Sequence, residues 1–275
     1  MLKPFRTPRA LGYRTDLALR VQAGARVEDH GTYMVIRTPA NPTFWWGNFL
    51  LLHEPPHPGS LETWLARFRE AHPQARHVTF GLDTPGGEAG AAAEFGAAGF
   101  RLTRDTVLTT ARTTPPAAAL PDGVTLRPLQ TAADWDEALA LRLAVNAADP
   151  EGLEEEGYRT FAGGRLAGLR AAQEAGHGAY LGAFADGRML AGLGVYGVGG
   201  GVTRYQNVET HPEWRSRGLA GNLVHFAGEW ARANLAARTL VIVADPHDHA
   251  QRLYERVGFR PTEVQTGLER PPREP

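Results

Sequence analysis

The chain has 275 residues, a length that suits two domains of roughly 150 residues or fewer. Its 43% hydrophobic and 21% charged residues suffice for a buried core, and its net charge of -1 lacks the basic excess of nucleic-acid-binding domains. The absence of cysteine excludes disulfides, thiolate metal sites and a cysteine nucleophile, and no apolar run approaches the ~20 residues of a membrane helix, so we expect a soluble cytoplasmic protein without nucleic-acid or membrane partners.

The first part of the chain predicts alternating strands and helices. A strand lies within 44–55 and ends in the turn residues His53, Glu54 and Pro55. The next predicted elements are a helix at 61–71, a strand at 78–83 and a helix that begins at 92 and ends in Gly99-Phe100.

A composition change marks the boundary between two domains. The paired prolines Pro115 and Pro116 favour extended backbone, and Asp122-Gly123 predicts a turn. We therefore predict a first domain at 1–113, a linker at 114–123 and a second domain at 124–275.

The second domain predicts a mixed α/β order. Asp186-Gly187 between two apolar runs is typical of a hairpin, and the apolar run 239–244 suits a strand buried on both faces. Residues 149–157 are acidic and predict a loop or a short helix start. The predicted order is strand 124–129, helix 132–146, helix 165–175, strands 179–184 and 189–198, strand 203–210, helix 219–235, strand 239–244, helix 250–257 and one or two final strands.

The segment from Val208 to Ala220 carries the clearest chemistry. A strand ends near Thr210, a His-Pro turn follows, and a long helix then begins. Helix N-termini attract anions because their first N–H groups lack partners, and Gly218 and Ala220 keep the backbone accessible. Arg215 and Arg217 add charge-assisted donors, so the segment predicts a pyrophosphate site.

Two motifs resemble those of one acyltransferase superfamily. R-x-x-G-x-A at Arg215–Ala220, after a strand and a His-Pro turn, resembles the acyl-CoA signature of GNAT N-acetyltransferases. A-x-x-L-Y-x-x-x-G-F, from Ala250 to Phe259, is similar to the later motif of that family. The resemblance covers about 124–262 and implies a mixed, mostly antiparallel sheet flanked by helices.

The resemblance also implies roles for individual residues. It implies acetyl-CoA as cosubstrate and Tyr254 as general acid near the sulfur, while His247 stands near the cofactor arm where the family often has asparagine. The histidines of these motifs lack the carboxylate or cysteine spacing of a metal site, so no metal is expected. The implied cofactor contacts are Val208, Glu209 and Thr210 for the pantetheine arm, and Arg215, Ser216, Arg217, Gly218, Leu219 and Ala220 for the pyrophosphate.

The general base is less evident from the sequence. Family bases often lie earlier on the strand, where this chain has Arg204 and Gln206. Glu209 is the nearest carboxylate and our candidate, although strand alternation predicts that it faces the opposite side from Arg204 and Gln206. A chain of water molecules is the alternative to a side-chain base. The acidic run 151–156 is typical of a solvated surface, and in the family this segment borders the acceptor pocket, where it could attract a cationic amine.

The first domain resembles a partial, degenerate second copy. Its last predicted helix ends in Gly-Phe like the helix of the later motif, but Phe95 stands where Tyr254 stands, and 57–62 has no arginine. The opening strand and helices of the copy are predicted to be missing. We expect a non-catalytic domain that is structural or covers the substrate.

These observations predict an acyl-CoA-dependent N-acyltransferase. We expect acetyl transfer to a primary amine, on a small molecule or a peptide, by direct attack in a ternary complex. The alternatives are a non-catalytic acyl-CoA-binding or sensor module and a transferase that acts on hydroxyls. A homodimer is also open, through an exposed sheet edge or the aromatic residues at 44–46.

Overall fold

A computed structural model describes residues 5–42, 44–247 and 249–272. Its elements, in chain order, are α1 (Leu11–Gln22), β1 (Arg26–Asp29), β2 (Tyr33–Arg37), a 3-10 turn (Trp45–Gly47), β3 (Phe49–Leu52), α2 (Leu61–Ala71), β4 (Val78–Leu82), α3 (Ala92–Ala97), β5 (Arg101–Thr110), β6 (Thr125–Pro128), α4 (Ala132–Ala147), α5 (Glu155–Glu174), β7 (Gly178–Ala185), β8 (Arg188–Gly197), β9 (Val202–Thr210), a 3-10 turn (Pro212–Trp214), α6 (Leu219–Leu235), β10 (Thr239–Ala244), α7 (His249–Arg256) and β11 (Arg260–Arg270).

The chain divides into two compact units. The first comprises Met1–Val107, Val243–His247 and Thr262–Pro275, and the second comprises Leu108–Ile242 and Asp248–Pro261. None of the helices in the described residues combines the length and apolar character that crossing a membrane requires. The fold class is mixed α/β with mostly antiparallel strand pairs and flanking helices, as predicted.

The sheet of the first unit has the strand order β1-β2-β3-β4-β11-β5. Its centre is buried on both faces, because successive residues of β3 enter different hydrophobic clusters. Leu50 and Leu52 pack in one cluster with Phe80 of β4, whereas Phe49 and Leu51 pack in another. This continuous apolar run explains why the sequence pattern of β3 does not alternate.

Two carboxylates from elsewhere in the first unit fix the start of α1. The N-cap of this helix, Ala10, has no side chain that can accept a hydrogen bond. Asp83, just after β4, accepts from the backbone N–H groups of Arg9 (3.0 Å) and Ala10 (2.8 Å), and Glu263 of β11 accepts from that of Leu11 (2.5 Å). The helix is thereby attached to the sheet.

The second unit has the strand order β10-β9-β8-β7-β6 with helices on both faces. Tyr205 of β9 points toward α6, where its hydroxyl donates to the carbonyl of Val224 (3.0 Å). Tyr196 of β8 points to the other face and donates to the carbonyl of Leu169 in α5 (3.0 Å). The predicted hairpin turn is present between β7 and β8, with positive φ at both Asp186 and Gly187.

The two units share a sequence of elements. In the first unit β2 and β3 are antiparallel, β3 and β4 are parallel, and α2 lies between β3 and β4 in the chain. In the second unit β8, β9, α6 and β10 repeat this arrangement. Residues 11–37, where no elements were predicted, hold α1, β1 and β2.

The boundary between the units differs from a simple break in the sequence. β11, which was predicted within the second domain, pairs with β4 in the first unit, for example Thr266 with Leu82. Part of the predicted linker lies along α6, since the carbonyl of Ala118 accepts from Asn222 (2.9 Å). Thr113, just before the linker, also contacts this helix, with its hydroxyl 3.0 Å from His225 Nδ1. The predicted ranges of 1–113 for the first domain and 124–275 for the second stay a prediction.

Helix α5 begins well before its predicted start at residue 165. Glu154 is its N-cap, and its carboxylate accepts from the backbone N–H groups of Glu156 and Gly157, each at 2.9 Å. Acidic residues in a first helical turn are also favoured by the helix dipole. Much of the acidic run at 151–156 is therefore a helix start.

The start of α4 carries a capping box that includes an ion pair. Thr131 Oγ1 accepts from the N–H of Asp134 (3.2 Å), and the Asp134 carboxylate accepts from the N–H groups of Gln130 and Thr131 and binds Arg127 through two oxygens (2.7 and 2.9 Å). The hydrogen bonds from Arg127 hold the pKa of Asp134 well below its usual range.

We predict that Asp134→Ala lowers the free energy of unfolding by about 2 kcal/mol or more, since it removes a helix cap and a charge-assisted hydrogen bond. Urea unfolding at neutral pH measures the change. Asp136→Ala, an exposed aspartate on the same helix, is the matched control and should change stability little. Equal losses of stability in the two variants would contradict the role of Asp134 as helix cap and partner of Arg127.

A second prediction concerns His72, which is buried at the end of α2 beside Phe68. Burial lowers its pKa from 6.5 to about 4, with a further contribution from Arg37. The folded state thus binds fewer protons than the unfolded state between these values, so stability is lost as the pH falls from 6.5 to 4, by about 3 kcal/mol in all.

His72→Gln should flatten this part of the curve of unfolding free energy against pH, measured by urea titration at half-unit steps. The exposed His57 gives the control variant His57→Gln, which should leave the slope unchanged. An unchanged slope in His72→Gln would show that other groups carry the pH dependence.

Candidate active site

A β-bulge interrupts β9 just before its end. Gly194 of β8 pairs with Gln206, but Gly192 pairs with Glu209, so β9 has one more residue than β8 in this interval. Within the bulge, Asn207 adopts a positive φ of 50°, a conformation that asparagine tolerates better than most residues.

The bulge determines the side of the sheet that Glu209 faces. Gly192 and Gly194 are two residues apart on β8 and so share a face, and their partners Glu209 and Gln206 share it too. The predicted alternation, which separated Glu209 from Gln206, is therefore wrong, because the extra residue reverses it. Glu209 lies on the face that α4 and α5 cover.

A cavity of about 760 Å³ opens at the end of β9 in the second unit. It lies among the end of α4, the end of β9, the start of α6 and helix α7. Its lining includes Ala118, Val145, Ala148, Asp149, Pro150, Val208, Glu209, Thr210, Trp214, Arg215, Ser216, Gly218, Leu219, Ala220, Gly221, His249, Ala250, Leu253, Tyr254 and Arg256.

The N-terminus of α6 forms one wall of this cavity. Its N-cap, Gly218, has a φ of 78°, and no side chain accepts a hydrogen bond from the first backbone N–H groups of the helix. A Cβ at this position would lie 3.0 Å from Ala118 Cβ and 3.3 Å from the Ala119 carbonyl oxygen, so glycine is required by both backbone conformation and space. A helix start without a side-chain cap suits a phosphate group.

Most of the predicted cofactor residues line the cavity, and two do not. Val208, Glu209, Thr210, Arg215, Ser216, Gly218, Leu219 and Ala220 are part of the lining. The guanidinium of Arg217 instead lies 4.6 Å from the ring centre of Trp214. His247 is in the turn after β10, where its N–H donates to Asp245 Oδ1 (2.8 Å). The cofactor role of each of these residues stays a prediction.

Tyr254 on α7 lies in the wall of the same cavity and is 5% exposed. Its ring packs edge-on against Phe259. Gly258 ends this segment with a φ of 101°, which lets the chain reverse so that Phe259 packs back on the helix. The motif residues Gly258 and Phe259 thus fix the position of the tyrosine.

Glu209 is a largely buried carboxylate in the cavity wall. Burial raises its pKa, and the charge of Arg142 in α4, whose Nη2 lies 3.5 Å from Glu209 Oε1, opposes the rise. Among the described residues, the second oxygen, Oε2, has no hydrogen-bond partner. Sequence reasoning missed Arg142, although an arginine between Leu141 and Leu143 in a helix with an apolar pattern is a detectable signal.

The corresponding helix start in the first unit differs. Ahead of α2, the N–H of Gly59 donates to the carboxylate of Glu94 in α3 (2.8 Å), so the chain supplies its own anion there. Phe95, at the position that matches Tyr254, is fully buried against Phe80 and Phe100. Neither a free phosphate site nor a proton donor is present at these positions.

No group of three or more His, Cys, Asp or Glu within the described ranges is arranged to hold a metal ion.

Comparison with known families fits this geometry. Residues 141–259, which include β9, α6 and α7, match the model of the Acetyltransferase (GNAT) family. They form a GNAT domain. GNAT domains are acyl-CoA-dependent N-acyltransferases that use acetyl-CoA as cosubstrate. No curated protein sequence matches the chain.

Solved structures show the same fold over nearly the whole chain. A GCN5-related N-acetyltransferase from Kribbella flavida is 20% identical with a TM-score of 0.66, and the match covers 95% of this chain and 97% of that one. A functionally unknown conserved protein from Staphylococcus epidermidis ATCC 12228 is 12% identical with a TM-score of 0.72, covering 90% and 94%. A tandem GNAT protein from the clavulanic acid biosynthesis pathway is 16% identical with a TM-score of 0.55, covering 92% and 86%.

The two arginines near α6 provide a matched test of the predicted cofactor site. We predict that Arg215→Ala weakens acetyl-CoA binding by about 10-fold or more, because a charge-assisted hydrogen bond contributes about 1.5–3 kcal/mol. Arg217→Ala should change it by less than about 3-fold, since Arg217 stacks on Trp214 and lies outside the cavity lining. Isothermal titration with acetyl-CoA measures both affinities. A larger loss of affinity in Arg217→Ala than in Arg215→Ala would contradict the assignment of Arg215, rather than Arg217, to the cofactor.

Proposed function

We propose that the second unit transfers an acetyl group from acetyl-CoA to a primary amine, by direct attack within a ternary complex. The acceptor is a small molecule or a peptide amine. One observation carries the proposal: the N-terminus of α6, Glu209 and Tyr254 all line a single cavity.

The cofactor would lie along the end of β9 and the start of α6. Arg215 and the backbone N–H groups from Ser216 to Ala220 would bind the pyrophosphate. The presence of Arg215, Ser216 and Gly218 in the cavity lining supports this role. The described pairing between β9 and β10 ends at Arg204 and Val241, while β9 continues to Thr210. Backbone groups on the edge of β9 that faces away from β8 would therefore, beyond this point, bind the pantetheine arm and the thioester oxygen.

Glu209 is the proposed general base. Its carboxylate accepts a proton from the acceptor ammonium, and the neutral amine nitrogen then attacks the thioester carbonyl carbon, which the acetyl-CoA supplies. As the carbon–sulfur bond breaks, the hydroxyl of Tyr254 donates its proton to the departing sulfur. The attacking nitrogen then loses its second proton to the Tyr254 phenolate, which leaves the amide, free CoA and a neutral tyrosine. Held in one cavity, the two substrates react without the entropy cost of a bimolecular encounter.

The first unit has no catalytic role in this proposal. The Glu94 carboxylate at the helix start and Phe95 in place of a tyrosine both argue against a second acetyl-CoA site. Titration with acetyl-CoA should accordingly give one site per chain. Two sites per chain would mean that the first unit also binds the cofactor.

The kinetic test compares Glu209→Gln and Tyr254→Phe with the wild-type protein. Each should lower kcat/KM by about 10²-fold or more, the size of a general acid or base contribution, while the affinity for acetyl-CoA stays within about 2-fold. Release of free CoA over a panel of amines gives the rates. Glu213→Gln, an exposed carboxylate outside the cavity lining, is the control.

The pH profile gives an independent readout. Because the base must be deprotonated and burial raises the pKa of Glu209, kcat/KM should fall with decreasing pH at values above the usual carboxyl range. Glu209→Gln should abolish this limb. Binding of acetyl-CoA with no turnover of any amine would favour the non-catalytic sensor instead.

A further inference from the structure

A buried cluster of polar side chains lies behind Glu209, on the face of the sheet covered by α4 and α5. Arg142 of α4 is 6% exposed, and its Nη2 lies 3.5 Å from both Glu209 Oε1 and the hydroxyl of Tyr158 in α5. Tyr180 of β7 is fully buried beside them. Residues from two helices and two strands therefore meet at the base of the cavity.

Glycine at position 192 makes room for this cluster. Gly192 pairs with Glu209 on the neighbouring strand, and a Cβ there would lie 2.4 Å from Met189 Cε and 3.1 Å from Tyr180 Cε1. The ring of Tyr180 thus lies over the backbone of Gly192, next to Glu209. A side chain at this position would displace the methyl group of Met189 and crowd the tyrosine ring.

The two charges of the cluster depend on each other. Arg142 has no hydrogen-bond partner at Nε or Nη1 among the described residues, and its guanidinium cannot lose its proton to escape burial. Burial lowers the pKa of Arg142, but the Glu209 carboxylate and the two tyrosines raise it above its usual value. Removing one member of a buried ion pair leaves the other charge uncompensated.

Other groups facing Glu209 do not replace Arg142. Tyr158 and Tyr180 contribute phenol side chains, which are not cations, and the other ionisable residues of the cavity lining are Asp149, Arg215, His249, Tyr254 and Arg256. Burial raises the pKa of Glu209, and of all these groups Arg142 is the one whose charge opposes that rise. A carboxylate buried without a cationic neighbour would hold its proton at neutral pH and could not accept another.

We propose that Arg142 is the positioning residue for Glu209: it holds the carboxylate at the cavity wall and maintains it in the ionised form that accepts the proton of the amine. Tyr158 in turn holds the guanidinium. The inference rests on the proposed function in one respect, the role of Glu209 as general base. The charge coupling between Arg142 and Glu209 can be measured without turnover.

The direct test is a ¹³C NMR titration of the Glu209 side-chain carboxyl in the labelled full chain, assigned by its loss in Glu209→Gln. Arg142→Met should move its pKa upward by about one unit or more, as expected for loss of an opposite charge within ~4–6 Å. Arg142→Lys should move it less. Arg159→Met, at an exposed ion pair on α5, is the control and should not move it.

The kinetic test separates positioning from simple structural support. Arg142→Met should lower kcat/KM at pH 7 by about 10-fold or more. The activity should recover at higher pH, where Glu209 with its raised pKa becomes deprotonated again. In the Glu209→Gln background, the same substitution should cost little further, because the two residues act as a unit. Arg142→Lys should recover most of the activity, and the affinity for acetyl-CoA should not change.

Three results would overturn the inference. They are an unchanged pKa of Glu209 in folded Arg142→Met, an unshifted acidic limb, or an equal loss of activity with and without Glu209. If Arg142→Met does not fold, a Glu209 pKa in Arg142→Lys equal to that of the wild type overturns it. Full activity of Glu209→Gln would contradict the proposed base instead, and the NMR result would still decide whether the charges are coupled.

Discussion

The bulge at Asn207 is the local constraint on which the candidate site of the second unit depends. Without the extra residue, Glu209 would face α6, on the side where Tyr205 packs. With it, the same carboxylate lies on the face of α4 and α5, within reach of Arg142. A change of one residue in strand register thus decides whether an acidic side chain has a cationic partner or an apolar surface next to it.

The second constraint is the cost of burying charge. The cluster of Arg142, Glu209, Tyr158 and Tyr180 is enclosed, and several of its polar atoms have no partner among the described residues. Replacing a buried ion pair by apolar side chains is often neutral or stabilising, so stability alone does not account for the cluster. Perturbed ionisation beside a cavity is common at catalytic sites, where it adjusts a carboxylate to its task.

The parts of the fold that depend on neighbouring residues could be predicted from the sequence. The helices 61–71 and 219–235, the Asp186-Gly187 hairpin and the motif glycine Gly218 are encoded by local periodicity or by a backbone conformation that only a few residue types tolerate. The start of α5 was missed because Glu154 acts as a cap only once the helix forms.

The other features arise from contacts between distant residues. The bulge is visible only when β9 is aligned with β8, and the partner of Glu209 lies on a helix far away in the chain. Likewise, no local pattern shows that β11 pairs with β4. Strand order and side-chain pairing between distant residues therefore cannot be predicted from the spacing of residues in the sequence alone.

The position of β11 also bears on how the protein is made. The ribosome makes the second unit's helices and strands before it makes the strand that borders β4, so the sheet of the first unit stays incomplete until β11 has been synthesised. During this interval β4 exposes the edge that Thr266 and its neighbours later cover, which is a site for wrong pairing between chains. A fragment that contains β4 but ends before β11 would therefore leave that edge of β4 uncovered.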